Sequence, residues 1–371
     1  MITVKLNNEI LKYITEIEKN RFSASSVKVP LSVANRLRKN SKKKSSYASN
    51  RIEGNPLSEQ QVDEVIDRDE RKHFLKPEQE VRNYFLALNY LEEKAKQKEP
   101  FSKELILDVQ KLVEKGASKE KIGLRGPMPP GVLFAVYDSQ SGKPEYIPPE
   151  YSDIPILLDE LVEYVNHTDD HPLIVSAVVH YQLVTIHPFE DGNGRTARLL
   201  SGYILDINGF GFNGIGSLEE YFAYDINEYY SSLQMGLPIV YYSGRENPPH
   251  PEIWINYFLR MVLLYSNKVC ELSASSNGEV VNGSLSYLKR KEKELLLILI
   301  NEYKREFTPV EISRRIGVTN RTVINRLAVL VKNGFVEPNI VRQRIRSYTL
   351  SEFTKQNKKE IKRLIGTRED K

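Results

Sequence analysis

Apolar side chains recur at helical spacing along most of the chain. From 77 to 97, Val81, Phe85, Leu88, Leu91 and Ala95 fall three or four residues apart, and 101 to 116 repeats the pattern with Ile106, Val109 and Val113. Both spacings predict amphipathic helices. Further helices are expected over 152 to 167, 172 to 186, 195 to 208, 217 to 233 and 251 to 264. The segment 172 to 186, PLIVSAVVHYQLVTI, is apolar nearly all round, as befits the central helix of a helical domain. Between 123 and 149 the pattern changes: Gly and Pro punctuate two β-leaning pieces, VLFAVYD and PEYIPP, joined by a Ser-Gly turn. A hairpin or extended flap is expected there. Upstream, Gly54, Asn55 and Pro56 break the chain, and Ser58 with Gln61 reads as a capping box opening a helix. The first forty-odd residues read as a short arm of uncertain structure, ending in the polar stretch NSKKKSSYAS.

After Cys270 the tract ELSASSNGEVVNGS has a linker's composition. Beyond it KEKELLLILINEY predicts one helix, and TPVEISRRIGVTNRTVINRLAVLVKNGFV two more around a tight turn at Gly317. Thr308, Pro309 and Glu311 form a T-x-x-E box with proline at the first helical position; Thr319 or Asn320 caps the next helix, which stops at Asn333-Gly334. Two short strands, FVEPN and RQRIRSYTL, follow as a wing. The expected fold is therefore mainly α: a helical bundle with a small β-hairpin flap, plus a C-terminal winged helix-turn-helix domain. Boundaries are expected at 1–74 for the N-terminal arm, 75–268 for the helical domain, 269–284 for the linker and 285–371 for the winged helix.

Composition narrows the class. At 371 residues, with 40% hydrophobic and 27% charged, the chain can bury a sizeable core and has an ordinary globular balance. A lone cysteine gives no intrachain disulfide, the N-terminus carries no secretory pattern, and the longest apolar stretch is short of a bilayer span. The cytoplasm, away from any membrane, is the expected setting. The net charge of +4 is unevenly placed. Six of nine residues from Arg36 to Lys44 are basic, which reads as a solvated linker ahead of an interaction patch, and 302 to 346 holds ten Lys/Arg against four Asp/Glu.

Residues 187 to 198, HPFEDGNGRTAR, concentrate chemistry between two apolar segments. Gly192, Asn193 and Gly194 permit a bend that turns backbone N–H groups toward one point, and the helix opening near Arg195 adds its own free N–H groups and positive dipole end: a seat for phosphate. Arg195 and Arg198, three apart on that helix's first turn, share a face and can each fork onto phosphate oxygens. Asp191, a bare carboxylate beside such a seat, suits Mg²⁺, which takes one or two carboxylates plus substrate oxygens. His187 titrates near neutrality and can accept a proton from an alcohol. These residues describe metal-assisted transfer of a phosphorus group to a hydroxyl.

The stretch resembles the Fic family motif, H-x-F-x-[D/E]-G-N-G-R-x-x-R, at every fixed position, and the resemblance extends from about residue 75 to 265. It implies AMP transfer from ATP to a Ser, Thr or Tyr hydroxyl of a protein, with pyrophosphate released. By this resemblance His187 is the general base and Asp191 the Mg²⁺ ligand. The loop Gly192 to Gly194 holds the α and β phosphates with Asn193 among its contacts, Arg195 contacts the phosphate chain and Arg198 the γ-phosphate. Thr196 and Ala197 complete the nucleotide-binding segment, Phe189 anchors the loop, and Tyr229 or Tyr230 lies against the nucleotide. A target protein is expected along Val132 to Tyr137, where an extended edge can pair with it; self-modification and a homodimer fit the same picture.

Ser49 to Gly54, SNRIEG, resembles the family's inhibitory sequence, [S/T]-x-x-x-E-[G/N], on a helix expected at about 45–54. Ser49 and Glu53, four apart, point the same way, and Gly54 lets the chain turn at once. The resemblance implies that Glu53 pairs with Arg198 and restrains transfer; the same glutamate can instead orient a water for removal of AMP. A reading of another class is a DNA-binding regulator with a sensory or vestigial core. For it Arg321, Asn325 and Arg326 on the recognition helix, with Arg342, Arg344 and Arg346 on the wing, are the candidate contacts, and protein docking is the equal alternative.

Overall fold

The computed structural model describes residues 2–26, 31–67, 73–117, 122–137, 144–236, 248–280, 285, 288–303, 306–341, 344–351, 354–355 and 358–366. It divides into one unit of residues 1–26 and 40–271 and a second of 27–39 and 272–371.

The first unit is built around α7 (Pro172–Ile186), buried at every position but Pro172 and Val184. A helix without a polar face belongs in the middle of a bundle, and here α6 (Ile154–His167) and α8 (Asn193–Ile207) pack on it, while α4 (Lys76–Lys96) and α5 (Lys103–Glu114) pack on α8 and share the same core. Tyr84, Val109, Leu158, Val179 and Leu200 are fully buried in the shared core. The caps follow the local sequence. Ser102 accepts from Leu105 N at 3.1 Å, and His171 accepts from Leu173 N at 3.3 Å ahead of Pro172.

The N-terminal arm is not irregular. It forms α1 (Asn8–Ser26) and α2 (Leu31–Ile52), and the basic run expected to be a solvated linker lies inside α2. Its lysines are paired: Lys42 with Glu92 and Asn89, Lys43 with Asp67 at 2.7 Å and Asp63 at 3.4 Å, Lys44 with Glu220 at 2.8 Å. One face of α2 is buried through Ser41, Ser45, the pair Ala48 and Ser49, and Ile52, a helical spacing. Ser45 Oγ donates to Glu219 Oε2 at 2.7 Å, and Tyr84 OH donates to Glu219 Oε1 at 2.9 Å. Then α3 (Glu59–Asp67) opens with the expected box: Ser58 N donates to Gln61 Oε1 at 2.9 Å and Gln61 N to Ser58 Oγ at 3.3 Å.

The flap is a two-stranded antiparallel sheet, β1 (Val136–Tyr137) with β2 (Pro144–Tyr146), shorter than the apolar pieces suggested; the expected Ser-Gly turn lies outside the described residues. Val132, Leu133 and Tyr137 are exposed. The single helix expected over 217 to 233 is two, α9 (Glu219–Phe222) and α10 (Ile226–Gln234), because Asp225 turns out of the helix and caps the second by accepting from Glu228 N at 3.0 Å. The helix expected to end at 264 runs on as α11 (Pro251–Val280) through most of the tract with linker composition. Once a helix is nucleated each added residue gains a hydrogen bond, so serine and asparagine are carried along. The linker's last residues, 281–284, lie outside the described residues.

The second unit contains α12 (Arg290–Glu302), α13 (Pro309–Ile316), α14 (Asn320–Lys332), the antiparallel pair β3 (Val336–Val341) and β4 (Arg344–Leu350), and α15 (Lys358–Gly366). Leu296, Leu299, Ile312, Val323, Leu327, Phe335 and Tyr348 form its core. The Thr308–Glu311 box is reciprocal, Gly317 takes φ +68° at the turn, and Thr319 is the cap of α14. Arg321, Asn325 and Arg346 are exposed and Arg326 half-buried, while Arg342 lies outside the described residues. No helix among the described residues is long and apolar enough to cross a membrane.

Candidate active site

The loop between α7 and α8 is the point where the fold spends strain. His187 ends α7 in the left-handed region, φ 49°, with its N–H on Leu183 O at 3.1 Å. Its Nδ1 lies 3.2 Å from Val184 O. A carbonyl can only accept, so the neutral ring carries its hydrogen on Nδ1 and leaves a lone pair on Nε2. Loss of water around the imidazole, abetted by the charge of Arg125, pushes its pKa down to about 4 against the opposing pull of the Val184 carbonyl, Glu53 and Asp191. At neutral pH the ring is therefore a base. The Phe134 ring stands 6.0 Å from it, centroid to centroid.

Side chains from elsewhere brace the loop. Phe189 is fully buried, and Asn193 clamps its peptide from both sides: Phe189 N donates to Asn193 Oδ1 at 3.0 Å and Asn193 Nδ2 donates to Phe189 O at 2.9 Å. The Asn193 side chain is thus spent inside the loop. Arg125, which the sequence reading did not single out, donates from its backbone N to Pro188 O at 2.9 Å and from Nε to His187 O at 2.9 Å, and reaches Pro149 O with Nη2. It ties both ends of the flap segment to the motif. Gln110 joins in, donating to Asp191 O at 3.3 Å and accepting from Gly123 N at 3.0 Å. Nothing local marks either residue, because their partners lie 13 to 81 positions away.

Arg195 sits under the loop, 4% exposed, with Nη2 2.9 Å from Glu114 Oε1 and 3.3 Å from Asp191 Oδ1. Glu114 is fully buried; desolvation pushes its pKa up to about 7 although the guanidinium pulls the other way. Its carboxylate also explains Gly192: φ is +82°, and a Cβ there would meet Glu114 Oε1 at 2.7 Å. Asp191 Oδ1 accepts from Gly192 N at 2.8 Å while the side chain stays 31% exposed. Thr196 and Ala197 face inward, buried, and Thr196 Oγ1 has no hydrogen-bond partner among the described residues.

Arg198 is 2% exposed and hydrogen-bonded through all three of its nitrogens. Nε donates to Ser49 Oγ at 2.8 Å, Nη2 to Ser49 O at 3.0 Å and to Glu53 Oε1 at 2.6 Å, and Nη1 to Tyr229 OH at 3.2 Å. Glu53 reaches it because α2 stops just short. Asn55 N bonds back to Asn50 O at 3.0 Å and Gly54 N to Arg51 O at 3.0 Å, with Gly54 at φ +80°, a Schellman ending. Glu53 passes so close to Gly194 that a Cβ there would collide with Oε1. Tyr229 is buried, whereas Tyr230 is 44% exposed and donates to Ile52 O at 3.3 Å. The structure thus brings Ser49, Glu53, Gly194, Arg198 and Tyr229 together at one end of α8, with Arg195 on its first turn and His187 and Asp191 in the loop before it.

Comparison with known proteins bears on part of the chain and on its fold. Residues 100–205 match the Fic/DOC family. Over 63 residues the chain is 43% identical to the protein adenylyltransferase Fic of Aedes aegypti, a stretch that is 16% of this chain and 13% of the mosquito protein. The Drosophila mojavensis counterpart gives 44% over the same length and 12% of that protein. The matched part is thus about an eighth of the curated relatives' length. Among solved structures, a Fic family protein from Desulfovibrio desulfuricans G20 superposes with a TM-score of 0.59 at 21% identity, covering 95% of this chain and 98% of that one. Fic-1 from C. elegans gives 0.55 at 23%, covering 73% of each. Residues 100–205 thus resemble a Fic/DOC domain, and the mainly helical architecture with its small two-stranded sheet is a Fic fold.

Proposed function

We propose that this chain transfers AMP from ATP to a Ser, Thr or Tyr hydroxyl of a protein, releasing pyrophosphate, and that Glu53 restrains the transfer by occupying Arg198. The observation that carries the reading is the Arg198–Glu53 pair across Gly194. An anion already rests where a buried arginine meets the first turn of α8, whose leading N–H groups have no acceptor within the helix. A phosphate suits the same donors, so the residues fit ATP. His187 Nε2 takes the hydroxyl proton as the oxygen bonds to the α-phosphorus, and the bond from that phosphorus to the bridging oxygen breaks with its electrons leaving on pyrophosphate.

Mg²⁺ fits as a partner of the nucleotide rather than of a protein cage. Asp191 offers one partly exposed carboxylate, and among the described residues no group of three His, Cys, Asp or Glu is placed to hold a metal alone. When bound with ATP it supplies neutralising charge at the phosphates. Arg195, itself held by Glu114, supports Asp191. The exposed Val132 and Leu133 beside β1 suit a target segment laid along the flap. For the second unit, α13, α14 and the β3–β4 pair are read as a winged helix that docks DNA or protein.

Labelled ATP with candidate target proteins tests the central reading. Glu53→Gly is expected to raise AMP transfer on the order of 5- to 150-fold, the usual range of a coupling between two sites. His187→Ala in the same background is expected to lower it on the order of 10²- to 10⁴-fold. A Glu53 variant no more active than the parent chain would remove the restraint from the reading.

A further inference from the structure

Beyond the residues that face the nucleotide, Arg198 belongs to a closed hydrogen-bond circuit. Arginine has only donors, so in the 3.2 Å contact with Nη1 the Tyr229 oxygen accepts. Its hydroxyl hydrogen is then free for His180 Nε2 at 2.9 Å, which must be the unprotonated nitrogen. The ring hydrogen therefore sits on Nδ1 and goes to Ser201 Oγ at 3.2 Å, and Ser201 Oγ donates to Arg198 O at 3.0 Å. The loop begins at the guanidinium and closes on the carbonyl of the same residue, with every bond running in one direction. All four side chains are at most 2% exposed, and His180 is boxed by the rings of Phe222, Tyr229, Trp254 and Phe258 at 4.8 to 6.0 Å. Burial and the nearby Arg198 charge hold His180 well below its ordinary pKa, which keeps it in the neutral form the circuit needs.

The partners of Arg198 fall into two groups. Ser49 and Glu53 come from the end of α2, while Tyr229 comes from α10. A withdrawal of α2 removes every partner in the first group and leaves the second. We propose that Tyr229, aligned by His180 and Ser201, is the positioning residue that keeps the Arg198 guanidinium aimed at the terminal phosphate once Glu53 has left. This rests on the reading of Arg198 as the γ-phosphate contact. A flexible arginine released from α2 without that hold would have to be reordered by each incoming nucleotide, at a cost in affinity.

The test uses the full chain carrying Glu53→Gly, with calorimetric titration of ATP and of ADP in the presence of Mg²⁺. The parent variant is expected to prefer ATP. Adding Tyr229→Phe, which removes one oxygen and keeps the ring, is expected to weaken ATP about tenfold and ADP within twofold, the scale of losing one hydrogen bond to a charged group. His180→Asn, whose amide can restore an acceptor toward Tyr229, is expected to lose less. Equal losses for ATP and ADP, with a lowered melting temperature, would mean that Tyr229 only supports the fold, and unchanged ATP affinity would mean that it positions nothing; either overturns the proposal. A Glu53→Gly chain that binds ATP no better than ADP would instead overturn the γ-phosphate reading, and the inference with it.

Discussion

Gly194 has no side chain because a carboxylate from 141 residues upstream fills the space beside it. The sign of a substitution there depends on whether Glu53 is present. In the parent chain Gly194→Ala should destabilise by about 1 to 3 kcal/mol, since the new Cβ collides with Glu53 Oε1. In the Glu53→Gly chain the same change should cost little or stabilise by about 0.5 to 1 kcal/mol, the ordinary gain of alanine over glycine in a helix. Denaturant titration of the four proteins of this cycle measures the difference, and additive effects would mean that the two residues do not meet. His187 gives a second prediction. Its folded pKa of about 4 lies below the unfolded value near 6.5, so the unfolded chain binds a proton first as pH falls. This histidine's contribution to stability is whole above pH 6.5 and drains away between 6.5 and 4. The acid limb of kcat/KM should fall near pH 4 rather than 6.5, and lower still without Glu53, whose charge pulls the pKa up. A limb at 6.5 in a pH–rate profile would contradict the desolvated, neutral ring. The motif residues were legible because twelve consecutive positions carry them. Arg125, Gln110 and Glu114 were not, since each meets the loop only after the chain has folded back on itself.

At the scale of elements the instructive case is α2. Hydrophobic periodicity finds helices by their oily stripe, and α2 has none: its inward face is Ser41, Ser45, Ala48, Ser49 and Ile52, small residues that let the helix lie close and satisfy their hydroxyls on neighbours. The period is present, written in serine, and a search for apolar residues passes over it. By contrast α7 and α13 were readable, the one from its unbroken apolar run, the other from a capping box that states its own start. The tight fit of α2 makes a prediction. Ser45→Leu adds a bulky group facing Glu219 and Ser217 and removes the hydroxyl that donates there, so it should loosen α2 by about 1 to 3 kcal/mol. AMP transfer should rise toward the Glu53→Gly level, with faster amide exchange confined to α2 and its immediate neighbours. Faster exchange across α7 as well would point to general unfolding instead.

For the whole molecule, the division into units does not fall where composition suggested. It passes inside two helices, between Lys39 and Asn40 in α2 and between Glu271 and Leu272 in α11, rather than through an irregular linker. A serine-rich tract reads as a linker only while nothing upstream drives it into a helix. The second unit's order of helices, caps and paired strands was legible from spacing and box residues, whereas its partner was not, because exposed Arg321, Asn325 and Arg346 suit phosphate and carboxylate alike. Titration of the full chain with duplex DNA at several salt concentrations distinguishes them. DNA docking predicts that log K falls linearly with log salt, by a slope near −0.9 for each phosphate neutralised, and that Arg321→Ala makes that slope shallower by about one. No binding at low salt would favour protein docking over DNA for this face.

The grip on Arg198 has a consequence for how such a chain can change. On the proposed reading the same guanidinium serves both the restraint and the nucleotide, so a lineage cannot discard the first by altering that arginine without forfeiting the second. Escape must come from the other side of the pair, through Glu53 itself or through the contacts that seat α2.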